Sequence, residues 1–344
     1  MKVFVAMSGG VDSSTTAALL KEQGHEVTGV TMLLHDAASD ETAKTVARYL
    51  KIPHKTIDLK DLFKKEIITY FVDEYNNGRT PNPCVLCNKK IKFGMLLDYA
   101  LENGADFLAT GHYARIELTR LTTHDSRFTL KKGIDGTKDQ SYFLWMLDQQ
   151  QLVHILFPLG AYTKHRVREM ARERGLPVAD RPESQEICFV PDDDYRALLR
   201  KSGKRFIEPG SIISPDGTEI GRHKGIIDYT VGQRKGLGIA AGHPLYVTAI
   251  DIQQNAVITG TDEDLYRSEI ECDRSNIISG DQLAPESEVT ARIRYNSPGS
   301  TAIIRPLKNG TILAGFKIPQ RAVAPGQSIV FYDDDIVIGG AVIS

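Results

Sequence analysis

The chain has 344 residues, of which 42 are basic and 44 acidic, so its formal net charge is −2. Hydrophobic residues make up 41%. This excludes a disordered chain, and the near-neutral charge excludes nucleic-acid binding through overall positive charge. The length predicts two or three domains. We expect a cytoplasmic protein, because no stretch reaches the roughly 18 apolar residues of a membrane span and the run Val3–Met7 is too short for a signal peptide.

The first half of the chain alternates strand and helix patterns. Its predicted strands are Lys2–Met7, Glu26–Leu34, Lys55–Leu59 and Asp106–Thr110. Its predicted helices are Asp12–Gln23, Asp40–Leu50 behind the cap candidate Ser39, Asp61–Tyr75, Lys89–Glu102, Thr163–Arg174 and Asp193–Lys201. Such alternation predicts an α/β fold, with a parallel sheet that helices cover on both faces.

The second half reads as short strands separated by turn residues. The predicted strands include Leu245–Ile250, Ala256–Thr259, Val289–Tyr295 and Ser328–Tyr332, and Asn309-Gly310 is a hairpin signal. We therefore predict three domains: an α/β domain over residues 1–201, a small β-rich domain over 202–266 and a β-barrel over 267–344.

A glycine-rich loop, Ser8-Gly9-Gly10-Val11-Asp12-Ser13, lies between the first predicted strand and helix. Glycines let the backbone approach an anion closely, and a helix N-terminus points N–H groups at it. The loop has neither the lysine of a Walker A loop nor a G-x-G-x-x-G pattern. The alternative is an ordinary turn in which Asp12 or Ser13 caps the helix.

The four cysteines suggest sulfur, redox or metal chemistry. Cys84 and Cys87 form a C-x-x-C pair in a loop that opens a helix, where a thiol is expected to have a lowered pKa. Cys188 lies about 100 residues further on and is equally well read as a small buried residue. Cys272 is read as structural. Zinc is the weaker alternative, since no second ligand pair accompanies the C-x-x-C.

Two segments are basic. Residues 196–240 contain nine Lys or Arg against four Asp or Glu, and a second group lies in the predicted helix around Arg168. A solvated helix face is the simpler interpretation of the second group, whereas the first is a candidate RNA-backbone surface. His112 follows a predicted strand beside Gly111, where α/β proteins bind ligands.

The glycine-rich hexapeptide resembles the PP-loop of the N-type ATP pyrophosphatases. That resemblance implies that the loop holds pyrophosphate, that ATP is split between its α and β phosphates, and that AMP is passed to an oxygen of the substrate. Mg²⁺ is the expected charge partner of the phosphates.

Seven segments together resemble the bacterial-type tRNA-specific 2-thiouridylases over essentially the whole chain: SGGVDS, PNPCVLCNKKIKFG, ATGHYAR, KDQSYFL, ESQEICF, TVGQRKGLGI and ARIRY. The resemblance implies a PP-loop (adenine nucleotide hydrolase-like) domain followed by two β-rich domains that contact tRNA. It implies that Cys87 is the nucleophile and that Cys188 carries a persulfide. The implied ATP-binding residues are Ala6, Met7, Ser8, Gly9, Gly10, Val11, Asp12, Ser13, Met32 and Gly111. The implied tRNA-contacting residues are Asn82, Pro83, Cys84, His112, Lys138, Asp139, Gln140, Arg294, Tyr295 and Gln327.

The implied partners are the anticodon arm of tRNA, with its wobble uridine, and a cysteine desulfurase or sulfur-carrier protein; a monomer is expected. One residue departs from the family pattern, because many members have an aspartate with a base-like role where this chain has Cys84. The departure leaves the base open and creates a set of three cysteines. An iron–sulfur cluster on Cys84, Cys87 and Cys188 is therefore an alternative to the persulfide route.

Two other functions compete with tRNA thiolation. The first is a PP-loop ligase or amidotransferase that acts on a small molecule, although the chain has no N-terminal cysteine of the glutaminase type and the paired cysteines would have no use. The second is a non-catalytic RNA-binding protein, which the intact SGGVDS loop disfavours.

Overall fold

The computed structural model describes residues 1–120, 126–182, 187–190, 194–201, 208–281, 283–307 and 310–344. The strands of the first half are β1 (Lys2–Ala6), β2 (Glu26–Leu33), β3 (His54–Asp58), β4 (Phe107–Ala109), β5 (Ala114–Arg120), β6 (Ser126–Lys132) and β7 (Ile155–Leu156). The helices are α1 (Val11–Glu22), α2 (Glu41–Leu50), α3 (Lys60–Phe63), α4 (Thr69–Asn76), α5 (Pro83–Cys87), α6 (Leu96–Glu102), α7 (Gln149–Leu152), α8 (Lys164–Glu173) and α9 (Tyr195–Lys201). The π-helical turns Lys64–Ile68 and Asn88–Met95 join α3 to α4 and α5 to α6.

Five strands form a parallel sheet in the order β3-β2-β1-β4-β7. Alternate residues of β1 point to opposite faces, so Val3 and Val5 pack with α1, α2 and α8 while Phe4 packs with α6. The predicted parallel sheet with helices on both faces is thus confirmed. The strand order reverses between β1 and β4, and ligands of such sheets bind where the carboxyl ends of those strands diverge.

The second half contains only short helices and ten strands in its described residues. They are β8 (Gly210–Ile213), β9 (Glu219–His223), β10 (Tyr246–Asp251), β11 (Ala256–Gly260), β12 (Tyr266–Ile277), β13 (Ser287–Arg292), β14 (Ser300–Pro306), β15 (Ile312–Arg321), β16 (Ser328–Asp333) and β17 (Ile336–Ile343). The first four form a sheet in the order β10-β11-β8-β9. The last six form a sheet that pairing of β12 with β17 closes into a barrel, as predicted.

The barrel shares its sheet and its core with the first half of the chain. The hairpin β5–β6 extends the barrel's sheet next to β17. Trp145, which is fully buried, donates from Nε1 to Ser328 Oγ at 3.1 Å. Val330 and Tyr332 of β16 belong to the same apolar cluster as Trp145 and Leu108. The α/β sheet and the barrel are therefore stabilised by one continuous core.

Several predicted boundaries differ from those observed. The helix expected to begin at Lys89 begins at Pro83, because proline suits the first helical turn, where no partner for its missing N–H is needed. The N-cap of α2 is Asp40, not Ser39. Asn309 and Asp193 lie outside the described residues, so the predicted hairpin turn and the start of the last predicted helix fall partly there. Among the described helices, none has the length and apolarity that a bilayer span requires.

Candidate active site

The glycine-rich loop follows β1 and opens onto α1 with its N–H groups uncapped by side chains. Gly9 has a φ of +73°, and a Cβ there would lie 2.7 Å from Thr42 Cβ, so only glycine fits. Gly10 is the N-cap, and no side chain caps the helix. The interpretation in which Asp12 or Ser13 caps α1 is therefore wrong. Ser13 Oγ instead accepts from the Ser8 N–H at 3.2 Å, which closes the loop.

The Asp12 carboxylate is bound by two other side chains of the protein. Both of its carboxylate oxygens lie 2.7 Å from Lys164 Nζ, and Tyr113 donates to Oδ1 at 2.7 Å. Lys164 is itself 8% exposed. A Cβ at Gly111 would lie 2.9 Å from Asp12 Cβ, so the turn after β4 touches the first turn of α1. The loops after β1 and β4 thus meet where the strand order reverses.

The other predicted nucleotide-binding residues line this edge of the sheet. Met7 and Val11 are buried beneath the loop. Ala6 ends β1, and Met32 lies near the end of β2, where both are half-buried and pack against the apolar core. An accessible apolar side chain at the end of β2 is suited to contact with a flat aromatic base.

The C-x-x-C pair and Cys188 come together although about 100 residues separate them. Cys84 and Cys188 are exposed, Cys87 is buried, and all three thiols are free. Negative charge on either neighbouring thiol would raise the pKa of Cys87, and charge on Cys84 would do so for Cys188. The three sulfurs therefore form one cluster, on α5 and on the segment that contains Cys188.

The expectation of a lowered thiol pKa is wrong for this arrangement. Burial raises the pKa of Cys87 to about 12. Cys84 and Cys188 are exposed as residues, yet loss of solvation by the surrounding protein raises the pKa values of their thiols as well. Loss of solvation opposes the thiolate more strongly than the ammonium of Lys92 favours it. The thiols are accordingly neutral near pH 7.

Lys92 is a site residue that sequence reasoning missed. It lies in the π-helical turn Asn88–Met95, and its positive charge lowers the pKa of all three clustered thiols. A π turn bonds residues five apart, so Lys92 falls one turn after Cys87, whereas a regular α-helix would rotate it away. The lysine five residues after Cys87 was the only available signal, and the α-helical period does not reveal it.

His112 connects this cluster to the nucleotide edge. Burial, and then the nearby Lys92 ammonium, lower the pKa of His112 well below its ordinary value, so the ring is neutral. Lys92 Nζ lies 3.4 Å from Nε2, and Thr110 Oγ1 lies 2.6 Å from Nδ1. An ammonium can only donate, so Nε2 accepts, and the ring proton on Nδ1 is donated to Thr110.

The cysteines do not form a metal-ligand set in this arrangement. Within the described ranges, no three His, Cys, Asp or Glu side chains are positioned to hold a metal ion. Cys272 lies far along the chain, buried in the barrel core. Neither the zinc nor the iron–sulfur alternative has a fitting ligand geometry among these residues.

The predicted tRNA-contacting residues fall into two groups. Asn82, Pro83, Cys84, His112 and Gln327 surround the cysteine loop. The other five lie where the first domain meets the barrel: Lys138, Asp139, Gln140, Arg294 and Tyr295.

Three side chains of the second group form hydrogen bonds to backbone groups of the protein. Asp139 is buried and accepts from the backbone N–H groups of Gly133 and Ser141, both at 3.1 Å. Gln140 accepts from the Tyr113 N–H at 3.0 Å. Arg294 donates to the carbonyl of Ala322. Lys138 and the half-exposed ring of Tyr295 lie close to each other.

The barrel fixes the backbone just before the cysteine loop. The Thr80 N–H donates to the carbonyl of Pro325 at 2.7 Å, and Gln327 Nε2 donates to the Thr80 carbonyl at 2.8 Å. Arg79 donates to the carbonyl of Ile343 at 2.9 Å. Gln327 thus positions the loop, and the site is completed by residues from both ends of the chain.

The two basic segments differ in their pairing. Arg166 of α8 pairs with Glu173 at 2.6 Å, and Arg174, the C-cap of α8, pairs with Glu22 at 2.7 Å. In the 196–240 segment, Arg234 and Lys235 are exposed beside an open pocket of about 470 Å³. This exposed pair is one part of the basic segment that is accessible to a polyanion.

Three family models match the chain in succession. They are described as a tRNA methyl transferase HUP domain over residues 1–192, a tRNA methyl transferase PRC-barrel domain over 199–261 and an aminomethyltransferase beta-barrel domain over 267–343.

Curated relatives match over nearly their full lengths. The tRNA-specific 2-thiouridylase MnmA 1 of Caldanaerobacter subterraneus subsp. tengcongensis is 51% identical, over 99% of this chain and 97% of the relative. The tRNA-specific 2-thiouridylases MnmA of Halothermothrix orenii and Acetivibrio thermocellus are 49% and 47% identical, each over 99% of this chain and over 98% and 99% of the relative.

Proposed function

The chain belongs to the family of tRNA-specific 2-thiouridylases, and on that basis we propose that it uses ATP to replace the C2 oxygen of the wobble uridine of tRNA with sulfur from a Cys188 persulfide. Family membership decides against a small-molecule ligase and against a non-catalytic RNA-binding protein. The observation that carries the proposed route is the cluster of free thiols, in which Cys87 lies near Cys188 and near Lys92. Lys92 Nζ in turn lies 3.4 Å from His112 Nε2, at the end of β4.

The first step is activation of the uridine. The uncapped N–H groups of α1 and the Ser8–Ser13 loop bind the pyrophosphate part of ATP, and the adenine lies against Met32. The uridine leaves its stack to reach the site, its C2 oxygen attacks the α phosphate, and pyrophosphate leaves. Lys164 already binds both oxygens of Asp12, the loop's acidic residue. The phosphates themselves would therefore have to hold any Mg²⁺ that accompanies ATP.

The second step transfers sulfur. The terminal sulfur of the Cys188 persulfide, loaded by a cysteine desulfurase or sulfur carrier, attacks C2, and AMP leaves with the former C2 oxygen. Cys87 then attacks the Cys188 sulfur, so the sulfur–sulfur bond breaks and the outer sulfur stays on the uridine. A Cys87–Cys188 disulfide remains, which an external dithiol reduces.

The electrostatics of the cluster assign roles to its neighbours. Cys87 must lose its proton before it attacks, and Lys92 favours the thiolate that results. Cys84 has a raised pKa, so its thiol is neutral and cannot take the base-like role of the aspartate found in many relatives.

The tRNA is held by all three predicted domains, with Arg234 and Lys235 against its backbone and Lys138 and Tyr295 near the anticodon arm. The backbone beneath this surface is held by hydrogen bonds with the side chains of Asp139, Gln140 and Arg294. The enzyme is proposed to act as a cytoplasmic monomer.

A single-turnover experiment tests the route. Cys87→Ser and Cys188→Ser should both form adenylated tRNA but no 2-thiouridine, and Cys188→Ser should also accept no sulfur from a desulfurase. Cys272→Ala, which changes a cysteine far from the cluster, is the control and should retain activity. Wild-type protein analysed by mass spectrometry after one turnover should contain a Cys87–Cys188 disulfide.

The iron–sulfur alternative makes a different prediction for Cys84. On the persulfide route, Cys84→Ala only slows the reaction. If the enzyme used an iron–sulfur cluster, the same variant would lose both its iron and its activity. Thiolated tRNA made without any disulfide by iron-loaded protein would refute the persulfide route.

A further inference from the structure

The glycine-rich loop has no positive charge of its own to offer a polyanion. Ser8–Ser13 contains one aspartate and no basic residue. The nearby ammonium of Lys164 is bound to both oxygens of Asp12 at 2.7 Å, so the two charges offset each other. ATP carries about four negative charges on its phosphates at neutral pH, and backbone N–H groups supply only partial charges against them. A second source of positive charge is needed at the loop.

Arg181 is placed to supply this charge. Its Nη1 donates to the carbonyl of Gly9 at 3.1 Å, at the turn that only glycine can form. The residue is exposed, and it forms no ion pair with the acidic side chains in the described ranges. A guanidinium has five N–H donors in a planar fork, so four remain after the bond to Gly9. That fork matches two phosphate oxygens at once.

We propose that Arg181 is a phosphate-binding residue of the ATP site, where its guanidinium contacts the β and γ phosphates and stabilises pyrophosphate as it leaves. This inference rests on the proposed function, because it assumes that ATP binds in the loop. It adds a residue from outside the loop, which reaches Gly9 from the segment after α8.

Arg181 also lies seven residues before Cys188 in the sequence. The phosphate contact and the sulfur-carrying cysteine thus belong to one stretch of chain.

Binding of inorganic pyrophosphate, ATP and AMP, measured by calorimetry on the full chain, tests the inference. Arg181→Ala should weaken pyrophosphate and ATP binding by about 10- to 100-fold, the range expected for hydrogen bonds to a charged group. AMP lacks the β and γ phosphates, so its affinity should change by less than about threefold. Arg181→Lys, which keeps the charge but not the fork, should restore part of the loss.

Arg172→Ala is the matched control, because Arg172 is an exposed arginine nearby that pairs with Asp180 at 3.0 Å rather than facing the loop. It should bind all three ligands as wild type does. Unchanged pyrophosphate binding by Arg181→Ala, or an equal loss for AMP and ATP, would overturn the inference. Failure of the wild-type protein to bind either ATP or pyrophosphate would instead overturn the ATP site of the proposed function, and this inference with it.

Discussion

The buried thiol of Cys87 should react slowly, and its rate should rise with pH far beyond the range of an ordinary cysteine. With a pKa of about 12, roughly one molecule in 10,000 carries the thiolate at pH 8, against about a quarter for a free cysteine. A more basic thiolate is a better nucleophile, by about 25- to 55-fold over 3.5 pKa units. The net expectation is attack on a small disulfide about 50-fold slower than by the same cysteine in unfolded protein.

The assay follows mixed-disulfide formation on Cys87 with dithiodipyridine, by acid quenching and peptide mass spectrometry between pH 7 and 10. The logarithm of the rate should increase by about one for each pH unit, because the thiolate fraction grows tenfold per unit below the pKa. The same peptide in urea-unfolded protein should level off near pH 9.

Lys92→Met should slow the reaction further, since the ammonium favours the thiolate; each added pKa unit costs about three- to fourfold in rate. Lys90→Met is the control, because Lys90 pairs with Glu66 instead. A plateau near pH 8.5 in the folded protein, at a rate close to that of the unfolded reference, would refute the reasoning that burial controls this thiol.

Three other changes give independent expectations. Asp12→Ala should stop pyrophosphate release and leave tRNA affinity within a few-fold, as measured by a pyrophosphate assay and filter binding; normal release would remove the loop from the mechanism. Ser328→Ala should lower the free energy of unfolding by about 1–3 kcal/mol, because the buried Trp145 N–H loses its partner, and fluorescence of this single tryptophan in urea would report it. Replacing Arg234 and Lys235 together with alanine should flatten the slope of log affinity for tRNA against log salt by about 1–2 units, and an unchanged slope would place the RNA elsewhere.

The sheet and its ligand edge could be predicted because local patterns specify them. Short apolar strands alternate with helical segments, and the glycine-rich loop and Gly111 each follow a strand. In a parallel sheet the carboxyl ends of such strands lie at one edge, so both turns were expected at that edge, and the observed strand order makes them neighbours. Gly9 and Gly111 are glycines because the chain passes too close to Thr42 and Asp12 for a side chain.

The contacts that complete the site could not be predicted, because they depend on distant parts of the chain. In the sequence, the hairpin β5–β6 lies between β4 and β7 of the α/β sheet. In the structure, it extends the sheet of the barrel instead. Nothing in the local pattern of its residues specifies that partner. The pKa of Cys87 depends on its burial by packed helices. This burial raises the pKa by more than the helix N-terminus was expected to lower it. Lys92 reaches the thiols only because its helix contains a π turn.

The bond from Arg79 to the carbonyl of Ile343 has a consequence for biosynthesis. The two residues are separated by 264 positions, and a ribosome adds about 5 to 20 residues per second, so roughly 13 to 50 seconds pass between their incorporation. During that interval the nucleotide-binding sheet of the nascent chain can form, but the backbone before Cys84 lacks the barrel carbonyl that fixes it. The bonds that hold Arg79 and Thr80 in front of the cysteine loop can therefore form only after the barrel has been synthesised.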